Sequence, residues 1–110
     1  MAAGCSASAP IVLSAQQRQS LAPLAIRYIW WQPAERSLAH PRRLLAQLMN
    51  IGDWRDVQLM RSCIDDATLR QVLATARAGE FNRRSWNFWH LRLGLPHGEA
   101  LPPQPQRPLR

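Results

Sequence analysis

The side chains that could do chemistry in this 110-residue chain are few: seven acids, three histidines and two cysteines. Four of the acids, Asp53, Asp56, Asp65 and Asp66, lie close together in sequence. A divalent cation needs such a carboxylate cluster. Their spacing fits helix starts better, because each pair precedes an apolar run. There a carboxylate accepts hydrogen bonds from free backbone N–H groups and faces the positive end of the helix. His40, His90, His97, Cys5 and Cys63 show no HExxH or CxxC spacing. Ser85 and Cys63 have no identifiable base beside them, so neither is assigned as a nucleophile. No pair of titratable groups has catalytic spacing. The expectation is a protein that is not an enzyme, with no cofactor and no metal.

Tryptophan and arginine are better represented. There are five tryptophans, and all 14 basic residues are arginine. Trp54, Trp86 and Trp89 read as core, because each indole can bury roughly 150–250 Å². Trp30 and Trp31 are neighbours and cannot both face inward on a regular element. At least one is expected at a rim or interface, where tryptophan anchors partners. Arg83 and Arg84 open the last helix and could hold an acidic group or a phosphate. The helices 53–63 and 66–78, joined at Ile64–Asp65, have helix-turn-helix spacing. The second would present Thr68, Arg70, Gln71, Thr75 and Arg77 to DNA. The turn lacks glycine and carries two aspartates that would face phosphates. Two antiparallel helices of a bundle would look the same.

These residues need elements to hold them. The stretch from Phe81 to Leu95 is the best-punctuated helix, with Asn82 as N-cap, Phe81 and Trp86 at hydrophobic-staple spacing, and Gly94 as the stop. Trp86, Trp89, His90 and Leu93 share one face, so this helix is expected to anchor the core. His90 reads as a packed histidine. Pro33 and Pro41 each suit position N1 of a helix. Leu44, Leu45, Leu48 and Met49 form an apolar stripe that Gly52 ends. Trp54, Val57, Met60 and Ile64 give roughly one face of the next helix. Leu69, Val72, Leu73 and Ala76 repeat at i, i+3, i+4 and i+7, and Gly79 stops that run. Cys63 reads as a small buried hydrophobe. No segment alternates at period two, so no sheet is expected.

The chain allows one domain. We expect an all-α, compact bundle of four or five short helices over residues 28–95. Residues 1–27 are expected to be a flexible extension, with a short arm or a turn of helix at Leu21–Ile29 broken by Pro23. Residues 96–110 hold five of the nine prolines and are expected to be a disordered, proline-rich tail. The net charge of +7 is diffuse, with ten arginines against six acids between residues 28 and 95. It permits nucleic acid or an acidic protein as partner. Two cysteines make no disulfide framework. No stretch approaches the roughly 20 apolar residues that span a bilayer, and no secretory signal is read at the start. A cytoplasmic location is expected.

Trp30-Trp31, Pro41-Arg42-Arg43-Leu44-Leu45, Ile51-Gly52-Asp53-Trp54-Arg55-Asp56 and Arg84-Ser85-Trp86-Asn87-Phe88-Trp89-His90-Leu91-Arg92-Leu93-Gly94-Leu95 together resemble a family of short uncharacterised bacterial domains. Such domains are often encoded beside nucleotidyltransferase-like toxins of the abortive-infection type. The chain departs from the pattern at Trp31-Gln32, where the family has an acidic residue, and near Ile64, where it lacks a glycine. The resemblance implies an antitoxin-like or accessory protein that binds a nucleotidyltransferase-fold toxin. It carries no active-site residues to transfer. The expected partner surface is built from Trp30, Trp31, Arg83 and Arg84. The alternative is a small helix-turn-helix regulator that binds DNA through Arg70, Gln71 and Arg77.

Overall fold

The structure, a computed structural model, describes residues 10–106. Expectations for Cys5 and the rest of residues 1–9, and for residues 107–110, lie outside the described residues. The fold is all-helical, with no strand among the described residues: α1 (Ala15–Tyr28), α2 (Ala34–Ala39), α3 (Pro41–Ile51), α4 (Trp54–Cys63), α5 (Asp66–Ala74), α6 (Arg83–Arg92), then a 3-10 turn at Gly98–Ala100. The five helices from α2 to α6 fall within the expected domain. The sixth, α1, does not.

The centre of the bundle is α3, which packs against every other α-helix. Its Leu44, Leu45, Ala46, Leu48 and Met49 are all buried. Pro41 is its first residue, where a missing N–H leaves no bond unmade. Gly52 ends it at φ −64°, so glycine is not needed there for its handedness. A Cβ on Gly52 would lie 2.5 Å from the Leu48 carbonyl oxygen and 3.2 Å from Val57 Cγ2. Close approach of α3 to α4 is therefore what excludes a side chain.

The expected extension over residues 1–27 is corrected by α1. Ser14 and Gln17 form a reciprocal capping box at its start. Leu21, Leu24, Ala25 and Tyr28 recur at i, i+3, i+4 and i+7 and are buried. Pro23 sits inside the helix but on its wet side, as does Gln19, whose carbonyl loses its ladder partner to water. Gln17 Nε2 also donates to the Cys63 carbonyl at 2.8 Å, tying α1 to the end of α4.

The last helix ends in a full Schellman motif. Leu95 N–H donates to the His90 carbonyl at 2.8 Å, and Gly94 N–H to Leu91 at 3.2 Å, with Gly94 at φ +73°. Asn82 caps the start by accepting from Ser85 N–H. The Phe81 and Trp86 rings meet edge-on at 5.7 Å, as a staple requires. Trp89 is fully buried, and its indole donates to the Met49 carbonyl of α3 at 2.7 Å. The helix is thus one arm packed on the hub, whereas the sequence reading made it the anchor.

Part of the expected proline-rich tail, within residues 96–106, touches the bundle. Trp86 Nε1 donates to the Pro102 carbonyl at 2.8 Å, and Gln104 Nε2 donates to the Phe81 carbonyl at 2.6 Å. A buried indole N–H needs an acceptor, and this segment supplies it. Among the described residues, no helix is long and apolar enough to cross a membrane.

Candidate functional site

The expected surface residues fall at three separate places. The first is the turn between α1 and α2. Ile29 caps α1 and is buried, and the chain reverses through Trp30 and Trp31 into α2. Gln32 pins the far side, donating to Ser37 Oγ at 2.8 Å. The two indoles at the turn tip stand out from the bundle, 75% and 48% exposed. Their rings meet at 5.7 Å and 86°. The Arg43 guanidinium lies over the Trp31 ring at 5.7 Å.

Beside this pair a cleft of about 540 Å³ opens at the start of α3. Arg36, His40, Arg42, Arg43 and Arg77 line it, with Ile11 and Val12 opposite. Arg42 is committed to Glu80, which it grips with both guanidinium nitrogens, one at 2.8 Å. Arg36, Arg43 and Arg77 make no ion pair among the described residues. Burial would raise the Glu80 carboxyl. Hydrogen bonds from Arg42 and the Arg77 N–H, with the charges of both arginines, outweigh burial and hold it below its usual value.

The second place is the start of α6. Arg83 and Arg84 are its first two residues, exposed, over a cleft of about 510 Å³ lined also by Asn87, Gly98 and Leu101. They add positive charge to the positive end of a helix, which is locally unfavourable. Asn82 N–H donates to Asn50 Oδ1, and Ser85 Oγ donates to the Asn50 carbonyl, so this end sits at the C-terminal end of α3. Arg43 and Asn50 are seven residues apart on α3, about 10 Å along its axis. Trp30 and Trp31 are therefore not brought together with Arg83 and Arg84.

The third place is α5, which ends at Ala74 rather than Ala78. Thr75 Oγ1 donates back to the Gln71 carbonyl at 2.8 Å, and Glu80 captures the Arg77 N–H. Arg77 consequently lies in the loop after the helix. Arg70 Nε donates to the Leu93 carbonyl at 3.0 Å, and Gln71 is half-buried. The three DNA-contact candidates do not share one helical face. α5 packs mainly on α3, and Arg61 of α4 reaches it through Asp66 at 3.0 Å.

Several of the remaining chemistry-bearing residues make contacts that hold the fold. Asp53 and Asp65 cap α4 and α5, each accepting from the N–H three residues on. His90 is buried, with Nδ1 2.7 Å from the Trp86 carbonyl. Cys63 is only partly buried, and burial raises its thiol further from ionisation. Among the described residues, no three His, Cys, Asp or Glu side chains come together.

Sequence reasoning missed an apolar face. Trp54, expected in the core, is 55% exposed at the first position of α4. Its place ahead of the buried Val57, Met60 and Ile64 put it on their stripe, but α1 covers the other side of that first turn, through Tyr28 and Asp56, and leaves the Trp54 ring open. With Gln58, Arg61 and Arg92 it lines a shallow depression between α4 and α6. On α6, Arg84, Phe88 and Leu91 recur at i, i+4 and i+7 and are all exposed. Phe88 meets the Trp89 ring edge-on at 5.3 Å, and Arg61 lies over the same ring at 5.9 Å. The Phe88–Leu91 spacing was the available signal. Comparison of the chain with protein-family models, curated proteins and solved structures finds no match.

Proposed function

We propose that this chain is a non-enzymatic, antitoxin-like protein that binds and occludes a partner protein, a nucleotidyltransferase-fold toxin. The observation that carries the reading is the outward stripe of α6. Phe88 and Leu91 are large apolar side chains left exposed on a helix that buries its other face. Exposed apolar groups rimmed by charge are how protein interfaces begin. Arg83 and Arg84 extend the stripe with cations that gain nothing from their own helix. Trp54 and Arg92 border it through the depression between α4 and α6. The resemblance of the closing Asn-Phe-Trp motif supplies the partner class. Trp30 and Trp31 lie at the other end of α3 and do not belong to this face.

The test is co-expression with the nucleotidyltransferase-fold product of the adjacent gene. A one-step co-purification and relief of growth arrest are expected. Phe88→Asp with Leu91→Asp is expected to weaken the complex at least tenfold while far-UV circular dichroism stays unchanged. No complex and no relief of toxicity with the wild-type chain would sink the reading.

A further inference from the structure

The exposed tryptophan turn and the arginine cleft beside it are left without a role by a partner bound on α6. Trp30 and Trp31 stand out of the bundle, and Arg43 bridges them to the cleft by lying over Trp31. Arg36, Arg43 and Arg77 carry no ion pair there among the described residues, and Glu80, which accepts from the Arg77 N–H, is gripped by Arg42. The strip so formed runs from two exposed indoles, one of them under Arg43, to three guanidiniums without an ion pair and His40. Every stabilising partner it lacks is an anion or a flat ring.

We propose that this strip binds single-stranded nucleic acid, with Trp30 stacking on a base, Trp31 edge-on beside it, and Arg36, Arg43 and Arg77 neutralising successive backbone phosphates. One nucleotide carries both a π face and a permanent negative charge, so a short strand satisfies both halves of the strip at once. An acidic peptide would satisfy the arginines and leave the indoles in water. Duplex nucleic acid offers phosphates but keeps its bases stacked on one another. The indoles therefore favour an unpaired strand. The chain's charge of +7 adds long-range attraction of the same sign.

The experiment is fluorescence anisotropy of the full chain with labelled 12-nucleotide oligo(U), oligo(dT), a duplex of equal length, and a poly-glutamate peptide. Binding of either single strand is expected, tighter than to the duplex. Its log–log salt slope is expected at about −2, roughly 0.7 for each of three phosphates released. Arg43→Ala with Arg77→Ala is expected to weaken binding at least tenfold. Trp30→Ala is expected to weaken it several-fold with little change in salt slope. Arg83→Ala with Arg84→Ala, on the other face, is expected to leave it unchanged. No binding at low salt overturns the proposal. So does equal affinity for the duplex or the peptide, or an equal loss on either arginine pair. Oligo(U) against oligo(dT) decides between RNA and DNA. None of these results bears on the complex made through α6, which stands or falls by co-purification.

Discussion

Asp56 is the one buried carboxylate among the described residues, and two groups hold it. The Tyr28 hydroxyl donates to Oδ2 at 2.6 Å, and Arg27 Nη1 lies 3.2 Å from the same oxygen. The Asp53 N–H donates in turn to the Tyr28 oxygen at 3.2 Å, which closes the link between α1 and α4. Burial first, and then the hydrogen bond to Asp56, push the Tyr28 phenol above its ordinary range. The folded chain holds that proton more tightly than the unfolded chain does. The contribution is therefore complete below about pH 10 and fades as pH climbs through the folded value. Tyr28 is the only tyrosine, so absorbance near 295 nm will report it alone; ionisation at the ordinary value or below would contradict the network. Tyr28→Phe is expected to destabilise by about 1–3 kcal/mol in urea melts at neutral pH, since the buried Asp56 carboxyl loses a donor. Gly52→Ala is a second residue-scale prediction. The Leu48 carbonyl cannot retreat without opening the α3–α4 turn, so a loss of about 1–3 kcal/mol is expected. Gly79→Ala meets no atom within 4 Å and carries only the strain of φ +85°. The smaller loss should be at Gly79; the reverse order in thermal melts would show that handedness, not crowding, governs these turns.

At the scale of the element, the clearest signals in the sequence were caps and stops. Asn82, Asp53, Asp65, Pro41 and Gly94 all act where their chemistry places them. These are local effects, settled within four residues, which is why one strand of text can carry them. The readings that failed needed partners far away in sequence. α5 was drawn to Ala78 because Ala76 kept the period. What ends it at Ala74 is the Glu80 clamp, held from α3 by Arg42 across 38 positions. Trp54 continued an apolar stripe by spacing, yet α1 packs on the Asp56 side of that first turn and leaves the indole exposed. The tail from Pro96 has no pattern of its own and is ordered by the Trp86 indole. α1 is a different failure, because its signal was present. Ser14 and Gln17 spelled a capping box, and Leu21, Leu24, Ala25 and Tyr28 kept the helical period straight through Pro23. One proline outweighed both, although its wet position made it tolerable. The candidate site was half legible. The exposure of Trp30 and Trp31 followed from their adjacency, whereas their pairing with Arg43, and their separation from Arg83 and Arg84, depend on how α3 lies.

For the whole molecule, α3 separates two surfaces of different character. The end near Pro41 gathers arginine and bare indole, and the end near Asn50 leads to the apolar stripe of α6. The two proposed binding surfaces therefore lie at opposite ends of one hub. The same hub has a consequence for synthesis. Trp89 closes over the hub through the Met49 carbonyl, 40 positions earlier in the chain. At translation speeds of about 5–20 residues per second, α3 waits about 2–8 s for the indole that finishes its cover. During that interval part of its leucine face has nothing to pack against. A chain stopped at Glu80 is expected to be cut by protease at least tenfold faster than the full chain, and to bind a hydrophobic dye that the full chain ignores. Equal resistance would mean that α1 and α2 shelter the hub unaided. Until the last helix arrives, the leucine face of the hub is the surface that a chaperone or a protease would meet.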